Sequence, residues 1–257
     1  MKKTALLAAA AALLCATPAM AGNGYLGARY NTGDVDGSDI DNWNAEGEFG
    51  WNGGAGSWGG QFGGQVGSLE PDGGDSASYY TLNGHMFYQG SNWRLGGVIT
   101  YGTIDDADLD EWTYGVNTSF DFGPDTTFFG SAVLGTISGF GNDYDEWGID
   151  LGVGHYFTDN FRLAGNLGFG SVDDADLDTT TYGINAEWQF SSVPISVTGG
   201  WNTINLDTGS GDADASYWGI GARWNFGGGT LRDRNNSTPF NDNGLYASRI
   251  YGAAQFN

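Results

Sequence analysis

The chain is short of cysteine, proline, histidine and positive charge, with one, five, two and nine residues respectively. The single cysteine, Cys15, falls in an N-terminal stretch that reads as a leader, so the remainder has no disulfide framework and no thiol chemistry. Lysine occurs only at Lys2 and Lys3. Beyond residue 21 the chain carries seven arginines against thirty-one acids, a formal charge of −24. That balance makes nucleic acid a poor partner, because phosphate backbones are bound by cationic side chains. After the leader no apolar run reaches eighteen residues, which excludes helical membrane spans. What is abundant is glycine, forty-six residues, together with aromatics at 15%.

The first twenty-one residues combine a basic start (Lys2, Lys3), an apolar run from Ala5 to Leu14, and Ala19-Met20-Ala21, an A-x-A cleavage pattern. This is the form of a secretory signal peptide, and it predicts a mature chain from Gly22. Residues 22–226 then read as one unit and 227–257 as a tail.

One stretch occurs twice. Gly102–Asn117 (GTIDDADLDEWTYGVN) and Gly170–Asn185 (GSVDDADLDTTTYGIN) agree at eleven of sixteen positions, 68 residues apart. Each copy places an acidic block before an alternating segment, so the repeated unit is strand, acidic loop, strand, tight turn. Twelve alternating segments follow from it: Asn23–Gly33, Asn42–Asn52, Ser57–Gly67, Ala77–Gln89, Asn92–Gly102, Glu111–Phe122, Thr126–Thr136, Tyr144–Phe157, Asn160–Gly170, Thr180–Phe190, Ile195–Asn205 and Ala215–Phe226. In the last, Trp218, Ile220, Ala222, Trp224 and Phe226 share one face, while Gly219, Gly221, Arg223 and Asn225 share the other. Period two with large apolar residues on one face is the strand signature. Each segment is long enough to cross a hydrocarbon core when tilted. Aromatics gather near strand ends, as in Trp112 and Phe122 or Trp188 and Phe190, the pattern of two interfacial girdles.

The connections alternate in kind. Gly53–Gly56, Gly90–Ser91, Gly123–Asp125, Thr158–Asp159 and Ser191–Pro194 read as short turns. Asp34–Asp41, Ser68–Ser76, Thr103–Asp110, Ile137–Asp143, Ser171–Thr179 and Leu206–Asp214 read as longer acidic loops. The expected fold class is therefore all-β: a transmembrane antiparallel up-and-down β-barrel of about twelve strands, closed because an open edge in lipid would leave backbone groups unpaired.

On these residues the chain resembles the Gram-negative outer-membrane β-barrel proteins, and among them the small porin-like barrels. The final strand, Tyr217–Phe226, carries part of the likeness: Gly221, Trp224 and Phe226 look like the signal read by the barrel assembly machinery. Gly219 stands where that family usually has a polar residue, and thirty-one residues follow Phe226. The resemblance implies passive diffusion of small solutes across the outer membrane, with outer-membrane lipid, lipopolysaccharide, the assembly machinery and periplasmic chaperones as partners. The alternative is a non-conducting structural or surface-binding barrel.

Within that frame the polar phase of the strands should line the lumen: Arg29, Glu46, Glu48, Gln61, Gln65, Asn83, His85, Arg94, Asn117, Asp121, Asp150, Arg162, Asn166, Asn185, Glu187, Asn202, Arg223 and Asn225. Two readings compete. These residues border a watery path, or the arginines pair with Glu48, Asp121, Asp150 and Glu187 in a plugged interior. Inward glycines (Gly59, Gly63, Gly67, Gly115, Gly148, Gly152, Gly183 and Gly219) favour an open path by leaving room.

Twenty-two acids, counted over Asp34–Asp41, Glu70–Asp75, Asp105–Glu111, Asp143–Glu146, Asp173–Asp178 and Asp207–Asp214, with no basic residue among them, predict a cation-preferring extracellular mouth. Asp106, Asp108 and Asp110, and again Asp174, Asp176 and Asp178, have the spacing of oxygen ligands. They lack the Gly and Glu of a helix-loop-helix calcium site, so the expectation is no cofactor beyond weak Ca²⁺ or Mg²⁺ binding. His85 and His155 have no Ser or Asp at a spacing that reads as a catalytic dyad, and no enzyme is expected. In the tail, Arg232, Arg234 and Arg249 contrast with the acidic remainder. They suit a plug docking on Glu48, Asp121 and Glu187 at the periplasmic opening; the alternatives for residues 227–257 are a disordered periplasmic tail or extra strand pairing.

Overall fold

The computed structural model describes residues 22–35, 37–71, 74–105, 109–139, 141–173, 177–208 and 211–240. Twelve strands follow in order: β1 (Asn23–Val35), β2 (Ser38–Asn52), β3 (Ser57–Pro71), β4 (Ala77–Gln89), β5 (Trp93–Ile104), β6 (Leu109–Phe122), β7 (Thr126–Gly139), β8 (Asn142–Thr158), β9 (Phe161–Val172), β10 (Leu177–Gln189), β11 (Ile195–Asp207) and β12 (Asp212–Phe226). A short helix, α1 (Leu231–Ser237), comes after them. Every strand pairs antiparallel with its sequence neighbours, and β1 closes on β12. Tyr25 makes the closure concrete, lying opposite Glu48 of β2 and Asn225 of β12. No ladder edge remains for lipid to desolvate.

Alternation assigns the two faces. Outward-facing Leu95, Ile99, Val116, Leu134, Leu151, Ile184 and Ile220 are all exposed in the isolated chain, an unfavourable surface in water and the expected one in hydrocarbon. Aromatic pairs bound this band. Near the strand tips, Tyr30 packs on Trp43 at 4.4 Å and Tyr101 on Trp112 at 4.7 Å. Near the short turns, Trp58 meets Tyr88 at 5.7 Å and Trp188 meets Phe190 at 4.8 Å. From Trp112 to Phe122, about ten residues at a rise of about 3.4 Å and a tilt of about 45° span roughly 24 Å, the height of an outer-membrane apolar band. At the tip-side rim, Tyr101 donates from its hydroxyl to Asp110 (2.8 Å) and Tyr30 to Asp41 (2.7 Å), so each ring stays in the interface while its polar tip reaches the acids above.

The acidic stretches are not long loops. The ladders run through them: Val35 pairs with Ser38, Ile104 with Leu109, Gly139 with Asn142, Val172 with Leu177 and Asp207 with Asp212. The connecting tips are therefore two to five residues long, and two turn on glycines in the left-handed region, Gly37 (φ 87°) and Gly141 (φ 81°). The physical reason is that the aspartates of these stretches sit on only one phase of the strand. Asp39 and Asp41 flank Ile40, and Asp110 and Asp178 follow Leu109 and Leu177, so the opposite phase remains apolar and can be buried.

The inward glycines do not leave the lumen open as expected either. A Cβ at Gly67 would run into the ring of Tyr79, and one at Gly152 into the ring of Phe129. Each of these glycines lies directly across the ladder from that aromatic residue. The room is taken by the neighbouring side chain, which lies flat along the wall.

Candidate functional site

The lumen has three layers. At the tip end, inward residues from successive strands form apolar clusters: Ile40, Leu69, Tyr79, Ile104, Ile137 and Val172, joined by Leu109, Tyr144 and Leu177, and beside them Ile204, Leu206 and Tyr217. Leu69, Tyr79, Ile104, Val172 and Ile204 are 2–3% exposed although they point into the barrel. A water-filled mouth would leave them accessible; they are buried because they pack on one another. The mouth is thus an apolar cap, and the acids surround it from outside: Asp39, Glu70, Asp110, Asp143, Asp178, Asp207 and Asp214 are exposed on the outer phase. Glu111 and Glu146, by contrast, turn inward from the rim strands and are buried beneath the cap.

At the turn end, the chain leaves β12 and folds back into the lumen. Gly227, Gly228 and Gly229 have φ of 93°, 83° and 88°, a run of left-handed conformations that only glycine adopts without strain. Thr230 then caps α1, its hydroxyl accepting from the Asp233 amide while Asp233 accepts from the Thr230 amide. The helix presents two arginines to the wall. Arg234 donates to both carboxylate oxygens of Glu187 (2.7 and 2.8 Å) and to Asn225 Oδ1 (2.6 Å), and it lies over the ring of Tyr25. Arg223 binds the same Glu187 (2.8 Å) and reaches Glu46 (2.7 Å). Burial works against the charge of Arg234, but the Glu187 carboxylate outweighs it and lifts the guanidinium pKa above its ordinary value. Arg232 pairs with Asp125 (2.7 Å) and Asp159 (2.9 Å) in two of the short turns and also donates to the Pro124 carbonyl.

Amides complete this seat. Asn235 donates to the Tyr156 hydroxyl (2.8 Å), Asn52 to the Asn236 carbonyl (2.6 Å) and Asn23 to Ser237 Oγ (3.0 Å). Beyond the helix, Phe240 stacks on His85 and meets Phe87 edge-on, both at 5.4 Å, and its amide donates to Gln61 (3.2 Å). Leu231 and Phe240 are 0% and 2% exposed. Of the acids expected to hold the tail, Glu187 does so. Asp121 instead takes Arg94 (3.0 Å), and Glu48 accepts from the Tyr25 hydroxyl (3.4 Å).

Between the closures lies a polar belt. All the residues read as lumen-lining fall on the inward phase. Glu48, Gln61, Arg94, Asp121, Glu187 and Arg223 line the turn end around the helix. Arg29, Glu46, Gln65, Asn83, Asn117, Asp150, Asn166, Asn185 and Asn202 form the belt, and Arg162 lies over Phe129 (5.9 Å) and Tyr156 (5.4 Å) at its lower edge. Arg29, Glu46, Gln65, Asn83, Asn166 and Asn185 keep partial exposure, in contrast to the cap.

Other expected sites separate. Gly221 faces inward against Thr198, while Trp224 and Phe226 face outward. Asp110 and Asp178 stand on the outer face of β6 and β10; Asp106, Asp108, Asp174 and Asp176 lie outside the described residues, as do the leader and Arg249. His85 is buried and contacts Asn117 through its ring nitrogen (2.5 Å), whereas His155 faces outward and bonds Thr126 (2.9 Å). The sequence reading missed the apolar cap and the aromatic floor of Tyr25, Tyr156 and Phe240. The cap had a signal, the Ile/Val and Leu repeated within both acidic copies.

No family model and no curated protein matches the sequence. Among solved structures the chain is similar to the NanC porin (TM-score 0.57, 12% identity, 77% of this chain and 98% of that one). It is also similar to the KdgM porin in complex with disordered oligogalacturonate (TM-score 0.53, 7% identity, 78% and 99%). A third similar structure is the β domain of the Bordetella autotransporter BrkA (TM-score 0.52, 12% identity, 80% and 99%). At these identities the likeness is one of fold. The chain is a closed twelve-stranded transmembrane β-barrel with the fold of the porin-like outer-membrane barrels.

Proposed function

We propose that this chain is a porin-like outer-membrane channel for passive diffusion of small solutes, held shut in the conformation described. The observation that carries the reading is the belt. Between an apolar cap and a docked helix, the wall offers amides, hydroxyls and opposite charges with partly accessible surface. A barrel built only to be filled gains nothing from a buried polar layer, because buried polar groups add stability only when fully paired. The wall is itself continuous and hydrogen-bonded without the helix, so undocking α1 opens the turn end while leaving the barrel intact. Catalysis is not part of the proposal.

A cation preference belongs to it as a surface property. The exposed rim acids, Asp39, Glu70, Asp110, Asp143, Asp178, Asp207 and Asp214, point away from the axis, so they act on ions approaching the barrel rather than on ions within it, and salt weakens the effect. Closure at both ends favours a second reading, a permanently closed structural barrel. Single-channel recording of the folded mature chain in a planar bilayer under a salt gradient separates the two. Discrete openings with a cation-shifted reversal potential support the channel. Absence of openings from folded protein, in wild type and after Arg234→Gln, supports the closed barrel.

A further inference from the structure

Arg234 of α1 occupies a seat whose parts belong to the wall of the barrel. Three guanidinium N–H groups go to the wall: Nη1 donates to Glu187 Oε1 (2.7 Å) and to Asn225 Oδ1 (2.6 Å), and Nη2 donates to Glu187 Oε2 (2.8 Å). Nη2 and Nε also donate to Asn235 of the same helix, at 2.8 and 3.1 Å. The guanidinium carbon stands 5.0 Å from the centre of the Tyr25 ring.

Strand residues orient the acceptors. Ser196 donates its hydroxyl to Glu187 Oε1, and Arg223 donates to Oε2 (2.8 Å), so the carboxylate is held from two sides. The Asn225 amide nitrogen donates to Gln189 Oε1 (3.1 Å) and Ser196 Oγ (3.3 Å), which turns its oxygen towards the guanidinium. These residues and Tyr25 lie on β10, β11, β12 and β1, four consecutive strands across the closure. None of the orienting bonds involves α1.

The wall also leaves a charge for an occupant to meet. Glu46 and Glu187 share Arg223, at 2.7 and 2.8 Å. Arg162 is across the ladder from Glu187 but leans the other way, to where a Cβ at Gly154 would meet its guanidinium and where Tyr156 and Phe129 adjoin it. Arg29 leans towards the tips, onto Asn31 and Gly219. Two carboxylates thus share one wall guanidinium, and Arg234 supplies the second.

Two carboxylate oxygens, a third acceptor and an aromatic face match a planar fork of donors. An ammonium is a point charge that cannot make the same paired bonds. We propose that this seat binds guanidinium-bearing solutes, the chemistry of arginine and its short derivatives, and that docked Arg234 is its resident competitor. This rests on the channel reading and names a solute class for it.

The test is block of the ion current through the full mature chain by arginine, lysine and citrulline, in wild type and in Arg234→Ala. Citrulline keeps the shape of the arginine head without its charge, and alanine empties the seat whether or not the helix leaves. In Arg234→Ala, arginine should block saturably, lysine about tenfold more weakly and citrulline not at all. In wild type the tethered Arg234 competes at an effective concentration on the order of millimolar, so the same block should need about tenfold more arginine. Adding Glu187→Gln to Arg234→Ala should weaken arginine block about tenfold. Asn225→Ala in the same background removes an acceptor and no charge; it should weaken the block several-fold and guards against a Glu187 variant that fails to fold. Equal block by arginine and citrulline, arginine block of the same strength in wild type and Arg234→Ala, or unchanged block after Asn225→Ala overturns the seat while the channel stands. No current from either protein overturns the channel reading, and the seat with it.

Discussion

Arg234 grips Glu187 with both terminal nitrogens, 2.7 and 2.8 Å from its two oxygens, and so fastens a helix outside the sheet to the wall of the barrel. The pair is buried, with side-chain exposures of 2% and 11%. Breaking a buried pair from one side costs about 3–5 kcal/mol, because a desolvated charge is left behind. Here the cost is moderated, since Glu187 keeps Arg223 at 2.8 Å. Arg234→Gln should therefore undock α1 without unfolding the sheet. Open probability should rise several-fold, and limited trypsin digestion should cut the tail at Arg232 faster while the barrel resists.

The glycine run that turns the chain inward gives an independent handle on the same closure. At Gly228 a Cβ would have nothing within 4 Å, so the only penalty of alanine is the backbone at φ 83°. That costs about 1–2 kcal/mol. Gly228→Ala should loosen the plug less than Arg234→Gln, with unchanged thermal stability of the barrel. A Gly228→Ala channel no more open than wild type would show that the turn is not coupled to docking.

The sheet was legible where alternation stands clear. β4 occupies the expected segment from Ala77 to Gln89, and the strand starts at Ser57, Thr126 and Ile195 are as read. The strand tips were not legible as strands, because an acid at every second position reads as loop until the Ile40 and Leu109 phases are followed separately. The lumen-facing residues came from the same alternation. Their partners did not, since pairs such as Arg223 of β12 with Glu46 of β2, which meet over Gly27 of β1, depend on barrel closure. The helix LRDRNNS is too short for a periodic signal, and only Thr230 with Asp233 three residues later marked its start.

Leu151 tests the membrane band. It is 53% exposed, outward on β8, with Trp147 towards one rim and Phe157 towards the other. An arginine near the bilayer midplane of an outer-membrane barrel costs about 2–4 kcal/mol. Leu151→Arg should lower stability by that amount in urea titrations of the bilayer-folded protein. The same change at Asp143, on the exposed rim, should have almost no effect.

The mouth decides between control by acids and control by packing. Glu70, Asp110 and Asp178 lie on the outer phase, so neutralising all three as Gln, Asn and Asn leaves the lumen wall unaltered. Conductance at high salt should stay within about twofold of wild type, and only the low-salt cation preference should fall as the screened outer field weakens. Ile104 is different. It is 3% exposed, pairs with Leu109 at its hairpin tip and packs within the apolar cluster at the mouth. A hydrophobic constriction opposes ions by excluding water, and a polar side chain in it favours wetting. Ile104→Asn should therefore raise conductance several-fold in the Arg234→Gln background, where the opposite end is already released. If the acid variants instead change high-salt conductance more than Ile104→Asn does, the mouth is governed by charge and the apolar cap is not its gate.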